Sequence, residues 1–380
     1  GYSNLTNTNL TFLGYQAGYN TTADSNTMLG YQAGYRNTTG ARNVFIGDNA
    51  GNGTVGQSAG DDICIGYRTM WNLSSGAYNV AIGTQAMYSV STGASNIAVG
   101  YQAGYSNTTG TQNTYIGRSA GYAGTTASYN VVVGGIDANG AYTGNSIATG
   151  TANIAIGNGA LGNAVAGTQS NNVAIGYHAL WVTTNDDNVA IGYNACLSNT
   201  SGSSNVAIGS YALNSNTTGY QIVAIGRQAG YTSSGAPNMT AVGYQAAYSY
   251  NSSNTIDAFG YQSLKTGTGD ANAAFGAYSL YANTTGAANA AFGSNAFRTN
   301  TTGGYGTAFG VQALYSNTTG DRNTSVGYQA LYTNTTGSYN VAMGFGALLS
   351  KTTASYNVGL GYGAGTAVST GTNKDRKSHV

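Results

Sequence analysis

Glutamate is absent from this chain, and ionisable side chains of any kind are scarce. All 11 acidic residues are aspartate, charged residues make up 6% of the 380, and the formal net charge is +1. Without a basic patch or stripe there is no electrostatic footprint for nucleic acid or for an anionic membrane surface. Long hydrophobic runs are missing too: no stretch approaches the ~18 consecutive apolar residues of a membrane-spanning helix, so no membrane insertion is expected in this segment. Proline occurs once, and the strong helix formers Glu and Lys are nearly missing, which disfavours helices. In their place stand 59 glycines, 32 tyrosines and an abundance of Thr, Val, Ile and Asn. That is a composition for strands and turns, far from a globular average.

A period organises these residues. Marking the glycine that follows each short apolar run gives 21 glycines from Gly14 to Gly361; of their 20 intervals, 14 are 17 residues long, three are 16, two are 19 and one is 23. Seventeen residues cannot hold a helix, a strand and their connections, so each copy is one coil of a repeat architecture. The predicted fold is an all-β parallel β-solenoid (β-roll) of about 21 rungs over residues 1–373, with loop insertions near 48–62, 135–152 and 161–171. Residues 374–380 read as a charged tail or linker that leaves the roll. Two strands are expected per coil, V-A-I and A-L-Y, closed by an N-T-T-G corner.

The apolar residue before each marker glycine, as in Ile46, Ile82, Ile116 and later Phe259, Phe275, Phe292 and Phe309, is expected to form the core ladder. The switch from Ile to Phe in neighbouring rungs is expected where the core widens. Three residues after the glycine a second column is small, as in Ala33, Ala86, Ala103 and Ala212, which implies close backbone approach. Asn43, Asn79, Asn96 and Asn188 suit stacked corner ladders at positive φ. A stripe of large rings five residues after the marker, among them Tyr19, Tyr35, Trp71, Tyr88 and Tyr105, is predicted to be an exposed patch and hence the interface of a homo-oligomer. Gly1-Tyr2-Ser3-Asn4 aligns with Gly104-Tyr105-Ser106-Asn107, so the chain is read as starting in mid-repeat, with its first edge continued by preceding sequence or another subunit.

Catalytic side chains are as sparse as charge. The two histidines are His178 and His379, so a Ser-His-Asp or Cys-His arrangement would have to centre on His178. It lies two residues after a marker glycine, where Gln is usual, and reads as an exposed rung residue. The acid pairs Asp61-Asp62 and Asp186-Asp187 lie seven rungs apart, roughly 34 Å at the strand spacing, too far to share one reaction centre. Asp61 and Asp62, in an extended loop, are the only candidates for holding a cation. By the same arithmetic Cys64 and Cys196 cannot pair as a disulfide; Cys64 reads as a small packed residue. No catalytic residue and no cofactor is implied. The sequons at Asn37, Asn107, Asn216, Asn283 and Asn334 are candidate glycosylation acceptors in an exported protein, or else good corner chemistry.

The recurring N-V-A-I-G of Asn79-Val80-Ala81-Ile82-Gly83, Asn172-Val173-Ala174-Ile175-Gly176, Asn188-Val189-Ala190-Ile191-Gly192 and Asn205-Val206-Ala207-Ile208-Gly209 resembles the head region of trimeric autotransporter adhesins and is similar to repeats of bacteriophage tail fibres. The family's repeat is shorter than the one here. The resemblance, which spans essentially residues 1–373, implies a left-handed parallel β-roll of three chains exported to the bacterial surface, where it binds host matrix or other cells. The expected function is therefore a rigid extracellular fibre, adhesive shaft or head, on a bacterial cell or a virion, that binds by a repetitive surface rather than by catalysis. Its expected partners are its own copies, in a homotrimer or an end-to-end filament, and a host surface or matrix receptor. The alternatives are a bacteriophage tail-fibre segment for host recognition and a ligand- or ice-binding array of Thr and Tyr, built on pairs such as Thr108-Thr109 and Thr318-Thr319.

Overall fold

The computed structural model describes residues 7–163, 167–235, 237–251, 255–366 and 375–377. It divides into two compact units, Gly1–Tyr193 and Asn194–Val380. Both are built alike. In the first, three-residue strands from Thr11–Leu13 to Val189–Ile191 stack in chain order, each parallel to the strand one repeat on, as in Val80↔Ile97, Ala81↔Ala98 and Ile82↔Val99. In the second, the strands from Val206–Ile208 to Val358–Leu360 do the same, as in Ala273↔Ala290 and Phe275↔Phe292. No helix forms among the described residues. The chain is an all-β parallel β-solenoid of about 17 residues per coil.

Among the described residues the second strand expected at A-L-Y does not form, and a second ladder is confined to the short parallel pair Ser249–Tyr250 and Thr266–Gly267. After the marker glycine the backbone alternates between right- and left-handed turns, with φ 54° at Gln102 and 60° at Gly104 in one coil, 61° at Tyr211 and 49° at Leu213 in another. A left-handed conformation costs a residue with a Cβ roughly 1–2 kcal/mol. Hydrogen bonds between coils offset that cost: Gln102 N–H donates to Thr84 O at 3.0 Å in the preceding coil, and Gly104 N–H to Ala120 O at 2.9 Å in the following one. Backbone polar groups are thus satisfied without a ladder. The marker position itself tolerates only glycine. Gly83 has φ 127°, and a Cβ there would sit 2.5 Å from the carbonyl oxygen of Gly100 in the next coil.

The interior is one side chain deep from each wall. In a three-residue strand only the middle side chain turns inward, so Ala81, Ala98 and Ala207 are fully buried, together with the residue four after the marker, such as Met87, Leu180 and Leu213. The residue before the glycine, expected to form the core ladder, faces outward instead: Ile82, Ile116 and Phe309 are all exposed. The run of phenylalanines is a stack on that outer face, with ring centroids 4.7 Å apart from Phe259 to Phe275 and 4.8 Å from Phe275 to Phe292. Ring stacking at the coil spacing, not a wider core, favours neighbouring Phe. The expected alanine column is inside, with Ala33, Ala86, Ala103 and Ala212 fully buried.

Two of the inward positions of a coil, the strand centre and the fourth residue after the marker, trade volume. Phe45 and Tyr115 face Gly51 and Gly121, whereas Ala174 and Ala207 face Leu180 and Leu213. The exchange is steric: a Cβ on Gly51 would lie 2.7 Å from the Phe45 ring. Close packing leaves room for at most one large group at these two positions of a coil.

At one corner the asparagines stack as expected. Asn96 Nδ2 donates to Asn79 Oδ1 at 3.1 Å and to the Gly110 carbonyl at 2.9 Å, and its own Oδ1 accepts the Asn113 N–H at 3.0 Å. Positive φ belongs not to these asparagines but to the residue before each, such as Tyr78 and Ser95. The ladder asparagines are kept by their amides rather than by backbone tolerance.

The insertions are narrower than expected. The extra residues of the longest interval form a small hairpin over 135–142, closed by Asp137 N–H to Ala141 O at 2.9 Å and an antiparallel bridge from Ile136 to Tyr142. Thr143 then takes the alanine position, and its Oγ1 donates to Gly135 O and Gly157 O, both at 3.0 Å. The 48–62 insertion reduces to a turn at Thr54, Val55, Gly56 and Gln57, with Gln57 N–H donating to Thr54 O at 3.2 Å. Part of the 161–171 insertion lies outside the described residues. At the far end Asp375–Lys377 pairs in parallel with Val358–Leu360. These three residues, one period beyond Val358, stay with the roll where a linker was expected, and the rest of 374–380 lies outside the described residues.

Candidate functional site

Where the structure describes them, the residues that chemistry singles out in the sequence have structural tasks; His379 lies outside the described residues. Asp61 and Asp62 are neighbours in an extended segment, so their side chains diverge. Asp61 accepts two hydrogen bonds of 2.6 Å from the Arg42 guanidinium on the surface, and this pairing holds its carboxyl below the usual range. Asp62 turns inward and takes the place of an asparagine in the corner ladder. Its Oδ1 accepts the backbone N–H of Asn79 at 2.8 Å, and its Oδ2 is buried with no partner. Burial raises its pKa to about 7, against the hydrogen bonds from Asn79. The two carboxylates therefore do not converge on a cation, and among the described residues no three His, Cys, Asp or Glu side chains cluster as metal ligands.

His178 is not the exposed rung residue that its position suggests. Its side chain is 13% exposed, and Nε2 lies 2.5 Å from Oδ2 of Asp137, which is fully buried. Its ring lies 3.9 Å from Tyr177 and 4.0 Å from Trp181, centroid to centroid. Oδ1 of Asp137 accepts the N–H groups of Asn139 and Ala141, both at 2.8 Å. Burial works to raise the carboxyl, but the His178 contact and the two N–H bonds outweigh it and hold the group below its ordinary range. The pair fastens the 135–142 hairpin onto a later coil. No nucleophile joins it: the nearby Thr143 hydroxyl is committed to two carbonyls. Sequence spacing could not show this contact, because the partners are 41 residues apart.

Cys64 and Cys196 are free and fully buried at inward positions. Burial pushes the Cys64 thiol well up and the Cys196 thiol to about 12, so both are held as unreactive thiols. The sequon residues Asn37, Asn107, Asn216, Asn283 and Asn334 are fully buried. Each donates Nδ2 to the corner glycine carbonyl three residues on, at 2.9, 3.2, 3.1, 2.8 and 2.9 Å respectively. In the folded chain none of these amides is available to carry a glycan. The threonine pairs divide as a period of two requires. Thr108 is half-buried and donates Oγ1 to Thr125 O at 2.9 Å, while Thr109 is exposed.

The aromatic stripe five residues after the marker is half-buried by stacking on itself, with centroids 5.1 Å apart from Tyr88 to Tyr105 and 5.0 Å from Tyr105 to Tyr122. It is not the open patch. The open surface lies on the strand wall, where the residues before and after the marker glycine face outward: Leu13 is 67% and Tyr15 66% exposed, and Leu29, Tyr31, Ile82, Tyr101 and Ile116 continue the two columns. The second unit repeats this with Phe309, Val311, Met343, Phe345, Leu360 and Tyr362. The signal was present in the alternation of V-A-I, which in a thin coil puts the larger residues outside. No known protein family matches the chain, and no curated protein is similar to it.

Proposed function

We propose that the chain is a segment of a rigid, exported fibre or adhesive shaft, whose copies associate as a left-handed homotrimer and which works by its repetitive surface rather than by catalysis. The observation that carries this reading is the outward apolar wall. Monomeric soluble proteins seldom expose contiguous apolar area beyond a few hundred Å², and here the columns through Leu13, Leu29, Ile82 and Ile116 and through Tyr15, Tyr31 and Tyr101 lie side by side in one unit. A surface that repeats every coil meets its like in a symmetric assembly, coil against coil, and three such walls close around an axis with no edge left over. The adhesin heads and bacteriophage tail fibres that the repeat resembles are both fibres of this kind, on a cell surface and on a virion respectively. The acids and histidine that catalysis would need are held in structural contacts, which favours a binding role over an enzymatic one.

Sedimentation equilibrium tests the assembly. The expected mass is three times that of the chain, falling to the monomer in an Ile82→Lys, Ile116→Lys double variant whose circular dichroism is unchanged. A monomeric native protein would sink the proposal.

A further inference from the structure

The Thr54 to Gln57 turn does more than interrupt a coil. Val55, 88% exposed, and Gly56 line one side of a half-open pocket of about 390 Å³ together with Asn20, Thr22, Tyr35, Arg36 and Thr38. That volume lies within the usual range for small-ligand sites, roughly 300–1,000 Å³. We propose that this pocket binds a carboxylated saccharide, of the uronic-acid class.

Three features of the lining select that chemistry. The Tyr35 ring is stacked on one side by Tyr19, at 5.3 Å. In the next coil its column is filled by Asn52, which is buried and donates to Asn49 Oδ1 at 2.8 Å. The aromatic stack therefore ends at Tyr35, which lines the pocket. The Tyr35 ring in the lining suits the C–H face of a pyranose.

Beside it Arg36 is half-buried, with Nη1 3.3 Å from the Gly53 carbonyl, which fixes the guanidinium under the turn. Among the described residues the ion pairs are Arg42 with Asp61 and His178 with Asp137, so Arg36 has its charge to offer. A guanidinium held in one place matches a carboxylate.

The remaining polar groups present acceptors. Asn20 Nδ2 is spent on Tyr35 O at 3.0 Å, and the Thr22 and Thr38 hydroxyls donate to Thr38 O at 3.0 Å and Gln57 O at 2.8 Å. What they leave are the Asn20 Oδ1 and the hydroxyl lone pairs. Acceptors call for ligand O–H groups, the cation for a carboxylate and the ring for an apolar face, and a sugar acid carries all three.

The site is complete within one chain, so its test is independent of how copies assemble. Titration calorimetry with an oligogalacturonate, against neutral galactose oligomers and against acetate, is the direct measurement. Oligogalacturonate is expected to bind, with affinity lowered about tenfold or more in Arg36→Gln and in a variant lacking Val55 and Gly56, each with native circular dichroism. Absence of binding would overturn the proposal, as would equal affinity for the neutral oligomers or for acetate, or binding undiminished in Arg36→Gln.

Discussion

Asp62 sits where its ladder neighbours carry an amide, and the difference is a single donor. Asn79 and Asn96 each send Nδ2–H to a corner carbonyl fourteen residues on, that of Gly93 and Gly110. A carboxylate has no hydrogen for the equivalent Gly76 carbonyl, but a protonated carboxyl has one, and the partnerless buried Oδ2 is the atom placed to carry it. The pKa of about 7 follows from burial. The sign is fixed by linkage: with the folded pKa raised above the unfolded one, the stability from this group is fully present below about pH 4 and is lost as pH rises through about 7. A shift of roughly three units corresponds to about 4 kcal/mol. Urea titrations should therefore show the first unit weakening between about pH 4 and about pH 7 and little further change by pH 8. In Asp62→Asn, which restores the donor, that weakening should vanish while stability at pH 8 rises. A slope retained in Asp62→Asn would assign the pH dependence to another group.

At the scale of the coil, no more than one large group at the strand centre and the fourth residue after the marker is the rule that packing enforces, and Tyr115 with Gly121 tests it. Tyr115→Ala empties the coil and should cost about 3–5 kcal/mol. Gly121→Leu alone drives a side chain into the ring and should also destabilise. Leucine tolerates the backbone at this position, as Leu161 and Leu180 do with φ 48°, so the double variant rebuilds the Ala-and-Leu coil found elsewhere. A coupling of at least 1 kcal/mol favouring the pair is expected from the double-mutant cycle. Additive losses would contradict the exchange of volume. The same coil shows what was legible in the sequence. The period, the parallel stacking, the buried alanines and the asparagine ladder follow from spacing and residue type. The inside and outside of the strand were reversed, because Ile82 and Ile116 look like core residues to anyone expecting a thick interior. In a coil this thin, the interior has room for Ala81 and Ala98. The second strand was wrongly expected because Gln102 carries no sign of its left-handed backbone. The contact of Asp137 with His178 depended on where an insertion folds, which periodicity does not encode.

Within each unit a coil touches chiefly its neighbours, so stability is close to a sum over coils and interfaces, and opening starts where those are weakest. In the first unit the longest departure from the period is the 135–142 hairpin, whose tip at Ala138, Asn139 and Gly140 is exposed. Inter-coil backbone bonds hold the regular coils on either side, while the hairpin is tied by Asp137. Its hydrogen bonds depress that carboxyl, so the tie is present above the ordinary carboxylate range, persists into mild acid and is lost as pH falls through the lowered pKa. Limited proteolysis of the native protein at neutral pH should therefore cut first within 137–142. Asp137→Asn replaces the charged partner of His178 and should hasten that cut several-fold while leaving circular dichroism unchanged, because Thr143 still anchors the coil through Gly135 and Gly157. Cutting that begins in the regular coils between 66 and 133, or a rate at 137–142 that ignores Asp137→Asn, would show that the weak point of this unit lies elsewhere.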